Sequence, residues 1–187
     1  MASKIKVDQI QTGDGTGTIA LQNQLSGMTT ASLPALGSAQ MPTGSVLQVV
    51  HGSGTTAVTS TTLNTFVGSG CTAAITPKFS NSKILVIGNL SINVAIDNDP
   101  DSQANTGIKR GSTIITGLIG YDEVRHQIDL SSTSKALGIR VPSNFLDSPA
   151  TTSATTYELI GSLRLGSRIT MQQNSQPSTI TLMEIAG

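Results

Sequence analysis

The chain has 187 residues, of which only 12% are charged, and its formal net charge is zero. It lacks a basic stripe interleaved with aromatic side chains, which argues against nucleic acid as the main partner. The single cysteine excludes an internal disulfide. No apolar run approaches the ~20 residues that a membrane helix requires, so membrane insertion is not expected.

Composition predicts an all-β protein. The chain contains 25 Thr, 23 Ser and 19 Gly, and Thr favours strands whereas Gly and Ser favour turns. Apolar residues make up 37% of the chain but aromatic residues only 3%, so the core must be aliphatic. A small aliphatic core in a weakly charged chain suggests that contacts between subunits bury further apolar surface.

Residues 1–40 are predicted to form an extended attachment segment, because their apolar residues are too few and too scattered to build a core. Ile5, Val7 and Ile10 follow the alternation of a short strand that has no partner strand inside this region. The unpaired edge of such a strand binds another chain through main-chain hydrogen bonds. The glycines at 13–17 form a turn and not a phosphate loop, since no capped helix or Lys follows them.

Residues 41–187 are predicted to form a jelly-roll or β-sandwich head. Short alternating apolar segments bounded by turn residues, without a helical period, are typical of that class. Residues 142–154 are interpreted as a crossover between sheets, and Gly52-Ser53-Gly54 as a loop. The last strand is so regular that it should be central and buried. The predicted strands span 45–51, 83–96, 107–118, 135–141, 155–165, 167–173 and 178–185, with 57–67 ambiguous.

Four segments resemble a known family. GTGTIALQNQLSGMTTASLP at 15–34, MPTGSVLQVV at 41–50, NFLDSPATTSATTYELIGSL at 144–163 and STITLMEIAG at 178–187 are similar to tail-fibre and virion structural proteins of marine and cyanobacterial phages. The resemblance implies an N-terminal attachment segment followed by a jelly-roll head, which is comparable to trimeric TNF-like or C1q-like domains. It also implies a homotrimer that is made in the host bacterial cytoplasm and incorporated into the virion.

The role within the virion stays open. A short tail-fibre or spike component would attach to a tail adaptor through residues 1–40 and present the head to the host surface, including surface glycans. Fibre proteins of this family are usually longer and carry a shaft, so a capsid decoration protein is the alternative. A free carbohydrate-binding module is a further alternative from a different functional class.

No enzymatic activity or cofactor is expected. His51 and His126 are the only two histidines, and neither belongs to a recognisable nucleophilic triad or a Gly-x-Ser-x-Gly turn. Cys71 is flanked by small residues and has no basic neighbour closer in sequence than Lys78. It is therefore interpreted as a small buried hydrophobe and not as a reactive thiol.

Two polar stretches of the head are the remaining site candidates. Asp97, Asp99 and Asp101 occupy every second position, a spacing at which carboxylates can bind calcium. An EF-hand is not formed, because Ser102 and Ile108 stand where it has Gly and Glu. The alternatives are a looser surface calcium site and a solvated loop. The second candidate is either a recognition loop or an ordinary exposed loop; it comprises Tyr121, Asp122, Glu123, Arg125 and His126.

Overall fold

The computed structural model describes residues 41–97, 101–116, 123–127 and 134–187, and within these ranges the chain forms eleven β-strands. A short 3-10 turn at Gln173–Ser175 interrupts the strands near the end. No helix in the described ranges is long and apolar enough to cross a membrane. The strands are β1 (Val46–Gly54), β2 (Val58–Ser60), β3 (Val67–Ile75), β4 (Lys83–Asp97), β5 (Asp101–Arg110), β6 (Thr113–Thr116), β7 (Glu123–Gln127), β8 (Ser134–Asp147), β9 (Thr155–Leu165), β10 (Arg168–Met171) and β11 (Ser178–Ile185).

The strands form two antiparallel sheets that pack as a sandwich, which confirms the predicted fold class. The first sheet has the order β1-β11-β4-β10-β2, with β8 on the other edge of β4. The second sheet has the order β3-β9-β5-β6, with β7 also paired to β5. Strand β4 organises the first sheet, because β8 pairs with it from Ile84 to Asp97 while β11 and β10 share its opposite edge.

The core between the sheets is aliphatic, as composition predicts. Alternation along β4 places Ile84, Val86 and Leu90 inward at 1% exposure or less, because successive strand residues point to opposite faces. In the part of the chain that the structure describes, Tyr157 is the only aromatic among the fully buried core residues. The first sheet contributes Ile84, Val86, Leu90, Ile92, Val94, Ile169, Met171, Ile180 and Leu182, and the second contributes Cys71, Ala73, Ile75, Ala104, Ile108, Tyr157, Leu159 and Leu163.

Strands 155–165 and 178–185 have the predicted bounds. Strand β11 lies between β1 and β4, as expected for a central last strand, with Ile180, Leu182 and Glu184 inward and fully buried. Strand β11 alternates between buried and half-buried residues over its whole length, which is a strong signal. Strand β9 alternates only in its first part, because its residues from Leu159 to Leu163 are all buried.

Three predicted irregular regions are strands wholly or in part. Gly52-Ser53-Gly54 continues β1 and pairs with β11. The supposed crossover at 142–154 is wrong at its start, because β8 runs through Pro142 to Asp147. Among the described strands β8 pairs only with β4, and an edge strand tolerates proline, which lacks an amide donor. Asp97 closes β4 and Asp101 opens β5, so the predicted wide polar loop is shorter than expected.

An ion pair ties the two sheets together at one end of the sandwich. Arg110 on β5 donates through Nη1 to both carboxylate oxygens of Asp147 on β8, at 2.9 and 2.7 Å. The hydroxyl of Tyr157 on β9 donates to the same carboxylate at 2.7 Å. Burial and then the hydrogen bond to Asp147 raise the pKa of Tyr157 well above its usual value, so it stays a neutral donor. We call these three residues the inter-sheet clamp.

Substitution of Arg110 tests the inter-sheet clamp. Arg110→Gln leaves the Asp147 carboxylate, 8% exposed, without its cation, so we expect a loss of about 2 kcal/mol in the free energy of unfolding, less than a fully buried pair would cost. The neighbouring Lys109 forms a partly exposed pair with Glu158 at 2.7 Å on the other face of β5. Lys109→Gln, the matched control, should cost less than about 1 kcal/mol. Urea unfolding at pH 7 measures both, and equal losses would contradict a special role for the clamp.

Candidate functional site

The outward side of the first sheet carries an apolar row across four neighbouring strands. Val49 on β1 pairs with Met183 on β11, Met183 with Leu85 on β4, and Leu85 with Leu146 on β8. Val49 is 56% exposed and Leu146 50% exposed. Both ends of the row are thus open to solvent, and the largest contiguous apolar patch of a protein is often a functional surface.

The rows on either side extend the apolar surface. Val46 pairs with Ile185 in one row, and Ile87 lies between Thr181 and Asn144 in the other. Val46 is 44% exposed and Ile87 42% exposed. We define the apolar face as the outward side chains Val46, Val49, Leu85, Ile87, Leu146, Met183 and Ile185.

Charge is nearly absent from these rows. Lys83, opposite Ile185, is the only charged residue among the paired positions that frame the apolar face. His51 lies in the same row as Ile87, and its Nδ1 is 3.0 Å from Oγ1 of Thr181. The next row is uncharged and, apart from Pro142 at its end, polar; it is formed by Ser53, Thr179, Asn89 and Pro142. The face can therefore be covered without burying an unpaired charge, which would be costly.

The dimensions of the face follow from strand geometry. With about 4.8 Å between strands and about 3.4 Å per residue, four strands over the five paired positions from Thr181 and Ile87 to Ile185 and Lys83 cover roughly 330 Å². Specific interfaces take about 800 Å² from each partner. The face supplies less than half of that area, so flanking surface must supply the rest.

The sequence contains a signal for this face that alternation of polar and apolar residues does not show. Val49-Val50, Ile84-Leu85-Val86-Ile87 and Phe145-Leu146 place apolar residues on both sides of their strands. A strand with one wet face needs only alternate apolar residues. Doubled apolar residues at the same height on neighbouring strands therefore indicate that the outer face is covered too.

A buried carboxylate lies on the inner side of the same strands. Glu184 is fully buried, and its oxygens accept from Nε2 of Gln48 at 2.5 Å and from the amide of Lys78 at 2.6 Å. Burial acts to raise the pKa of Glu184, but the Ser82 hydroxyl, Gln48 and the amides of Lys78 and Phe79 outweigh it and hold the pKa below its ordinary value. The Ser82 oxygen lies nearby without a well-formed hydrogen bond, so Gln48 and the two amides are the principal partners.

The charge on Glu184 should make stability depend on pH. A lowered native pKa means that the carboxylate stabilises the fold above its ordinary pKa of 4.5 and loses this effect as the pH falls through the native value. Glu184→Gln places an amide NH2 against donors, so we expect a loss of about 2 kcal/mol at pH 7. Urea unfolding should show that the difference in free energy of unfolding between Glu184→Gln and the unmodified protein becomes smaller towards about pH 3. An equal gap at both pH values would contradict this account.

Not all of the residues singled out from sequence belong to the part of the chain that the structure describes. Asp97 ends β4 in the first sheet and Asp101 begins β5 in the second, while Asp99 lies outside the described residues. The predicted calcium site therefore stays a prediction. Within the described ranges no three His, Cys, Asp or Glu side chains group as metal ligands would. Ile5, Val7 and Ile10 also lie outside the described residues, and their attachment role stays a prediction.

The predicted recognition loop is wrong in its local structure. Glu123, Arg125 and His126 lie in β7, which pairs with Asp101 to Asn105 of β5, because tertiary pairing overrides a polar sequence. Tyr121 and Asp122 lie outside the described residues.

Cys71 faces the core, as predicted. It is fully buried, and burial raises the pKa of its thiol to about 11. An un-ionised thiol is a poor nucleophile, so the position suits packing and not reactivity.

Comparison with known proteins adds no family. No protein-family model matches the chain, and no curated protein is significantly similar to it.

Proposed function

We propose that this protein is a non-catalytic structural subunit of a phage virion, which assembles as a homotrimer through its β-sandwich head. The observation that carries self-assembly is the apolar face, with Val49, Ile87 and Leu146 between 42% and 56% exposed on three strands of one sheet. The similarity of residues 15–34, 41–50, 144–163 and 178–187 to phage virion proteins supports the setting.

A second copy of this chain is the occupant that fits the apolar face. A face with one lysine and otherwise neutral residues offers no charge pattern with which to select a charged partner. Two weakly charged, apolar surfaces of the same protein match each other without unpaired charges. Subunit contacts also explain how a chain with 3% aromatic residues gains further apolar burial.

Three-fold assembly requires two different surfaces to meet, because contacts in a cyclic trimer are heterologous. The edge of β8 borders the apolar face, and among the described strands only β4 pairs with it. Leu146 belongs to both surfaces, being half exposed at the end of this edge strand. We propose that the β8 edge of one copy packs against the apolar face of the next, which protects an edge that would otherwise pair non-specifically.

Residues 1–40 are proposed to attach this head to a tail adaptor, leaving the head to contact the host surface. Within the described residues, the buried apolar cluster of the sandwich runs from Cys71 to Leu182. Backbone pairing of the head begins at Gly44, whose amide donates to the carbonyl of Ala186 at 2.8 Å. The described head therefore contains an apolar core, and its first and last strands, β1 and β11, pair with each other.

Deletion of residues 1–40 tests whether this segment attaches the protein and whether the head folds and assembles without it. The truncated protein should remain a folded trimer by light scattering and thermal melting, yet fail to join the virion. The full chain is the control and should be incorporated. An unfolded or monomeric product would show that the segment is structural. Cryo-electron microscopy of the virion then decides the location, since density at capsid three-fold positions would replace the tail role with capsid decoration.

A further inference from the structure

A polar cleft opens on the first sheet near the far end of β4 from the apolar face. It has a volume of about 310 Å³ and lies between β4, β8 and the turn that joins β10 to β11. This volume is at the lower end of the ~300–1,000 Å³ that ligand sites occupy. The polar lining residues carry neutral amide or hydroxyl groups, except for one cationic arginine. They are Ser91, Asn93, Arg140, Gln173, Asn174 and Gln176.

The turn beside the cleft is held in an unusual backbone conformation. Gln172, Asn174 and Ser175 have φ values of 55°, 54° and 57°, a region that residues other than glycine rarely adopt. The Gln172 amide donates to the Ser91 carbonyl at 2.9 Å and anchors the turn on β4. Such backbone persists where its surroundings fix it, and it clusters at ligand sites. Here it holds Gln173 and Asn174 against the cleft.

A glycine keeps the floor of the cleft open. Gly138 on β8 pairs with Asn93 on β4, and a Cβ at this position would have only Nδ2 of Asn93 within 4 Å, at 3.7 Å. Glycine inside a strand weakens the strand and often marks a place where a ligand approaches the backbone. The space above Gly138 is therefore available to a bound group.

The lining chemistry selects the ligand class. Amide side chains both donate and accept hydrogen bonds, as sugar hydroxyl groups do. Arg140 is exposed and adds a planar cation that suits a carboxylate. Its Nη2 is 3.5 Å from Oε1 of Gln176, and neither of the ion pairs described above involves it. Among the described residues that line the cleft, no carboxylate competes for Arg140.

We propose that this cleft binds an acidic saccharide unit, with its hydroxyl groups on the amides of Asn93, Gln173 and Asn174 and its carboxylate on Arg140. The proposal deepens the host-contact role of the head and rests on it for its biological purpose. Binding itself is measurable on the purified full chain in any oligomeric state.

The probes are glucuronic acid and glucose, which differ by one carboxylate. Ligand-observed NMR at pH 7 measures the binding of each sugar to the protein. The full chain should bind glucuronic acid saturably and glucose about tenfold more weakly, as loss of a charge-assisted hydrogen bond implies. Arg140→Gln should lower the affinity for glucuronic acid to that for glucose. Gly138→Leu should abolish binding of both, because the new side chain fills the cleft, whereas Lys109→Gln should bind like the unmodified chain.

Three outcomes would overturn the assignment: no saturable binding of glucuronic acid by the folded chain, equal affinity for both sugars, or undiminished binding by a folded Gly138→Leu protein. The oligomeric state separates this proposal from the preceding one. A trimer that binds neither sugar overturns the saccharide site alone. A monomer that binds glucuronic acid overturns self-assembly alone and leaves the cleft assigned.

Discussion

Ile87→Lys should convert the trimer into folded monomers. Ile87 belongs to the apolar face on β4, one row from Leu85, and is 42% exposed in the single subunit, so a lysine there can reach solvent in the monomer. In the assembled trimer the ammonium group would be covered without a carboxylate partner, at a cost of several kcal/mol. The dissociation constant of the trimer should therefore rise by about a hundredfold or more.

The matched control for Ile87→Lys is Ile114→Lys. Ile114 is 46% exposed on β6 of the second sheet, away from the apolar face, so the same substitution should leave the mass unchanged. Light scattering at equal protein concentration measures the mass, and circular dichroism checks that both proteins are folded. If Ile87→Lys stays trimeric, or if Ile114→Lys also dissociates, the apolar face is not the contact.

Gly52→Ala should produce the largest loss of stability of the substitutions considered. Gly52 lies in β1 where this strand crosses β3, and a Cβ added there would overlap the backbone carbonyl oxygen of Thr72. A backbone atom cannot rotate away as a flexible side chain can, so the strands must separate. We expect a loss of about 3 kcal/mol or more, which is a large part of the ~5–15 kcal/mol that stabilises a typical domain.

Gly138→Ala is the control for Gly52→Ala. Gly138 also lies within a strand, but a Cβ there meets only Nδ2 of Asn93, at 3.7 Å. Alanine should be neutral or stabilise the fold by up to about 1 kcal/mol, because it reduces the entropy of the unfolded chain. Urea unfolding at one fixed protein concentration compares the two, since assembly also contributes to stability. Similar stabilities of the two variants would contradict the close approach of β1 to β3.

The sequence predicted the strands whose two faces meet different environments. β11 alternates over its whole length, so its bounds and its central position follow from periodicity. The bounds of β9 were also predicted, although its residues from Leu159 to Leu163 are all buried. Strand β3 escaped prediction because Gly68-Ser69-Gly70 opens it with small residues, and its pairing with β9 is irregular between Gly68 and Thr72. Such a strand is fixed by its neighbours and not by its own preference.

The candidate sites depend on registers that a sequence does not show. The apolar face exists because Val49, Met183, Leu85 and Leu146 reach the same height on four strands. The carboxylate of Glu184 is held by Gln48, which is 136 residues away in the chain. The cleft needs Arg140 and Gln176 to be brought together from strand β8 and a turn. Periodicity identifies which residues face outward, but only the pairing of strands tells which of them meet.

The mass of the unmodified full chain in solution tests the central claim most directly. Light scattering at about micromolar concentration, where specific assemblies of nanomolar affinity stay intact, should give a mass three times that of the 19.2 kDa chain. A monomeric mass would contradict self-assembly through the apolar face, and a dimeric mass would contradict the three-fold arrangement.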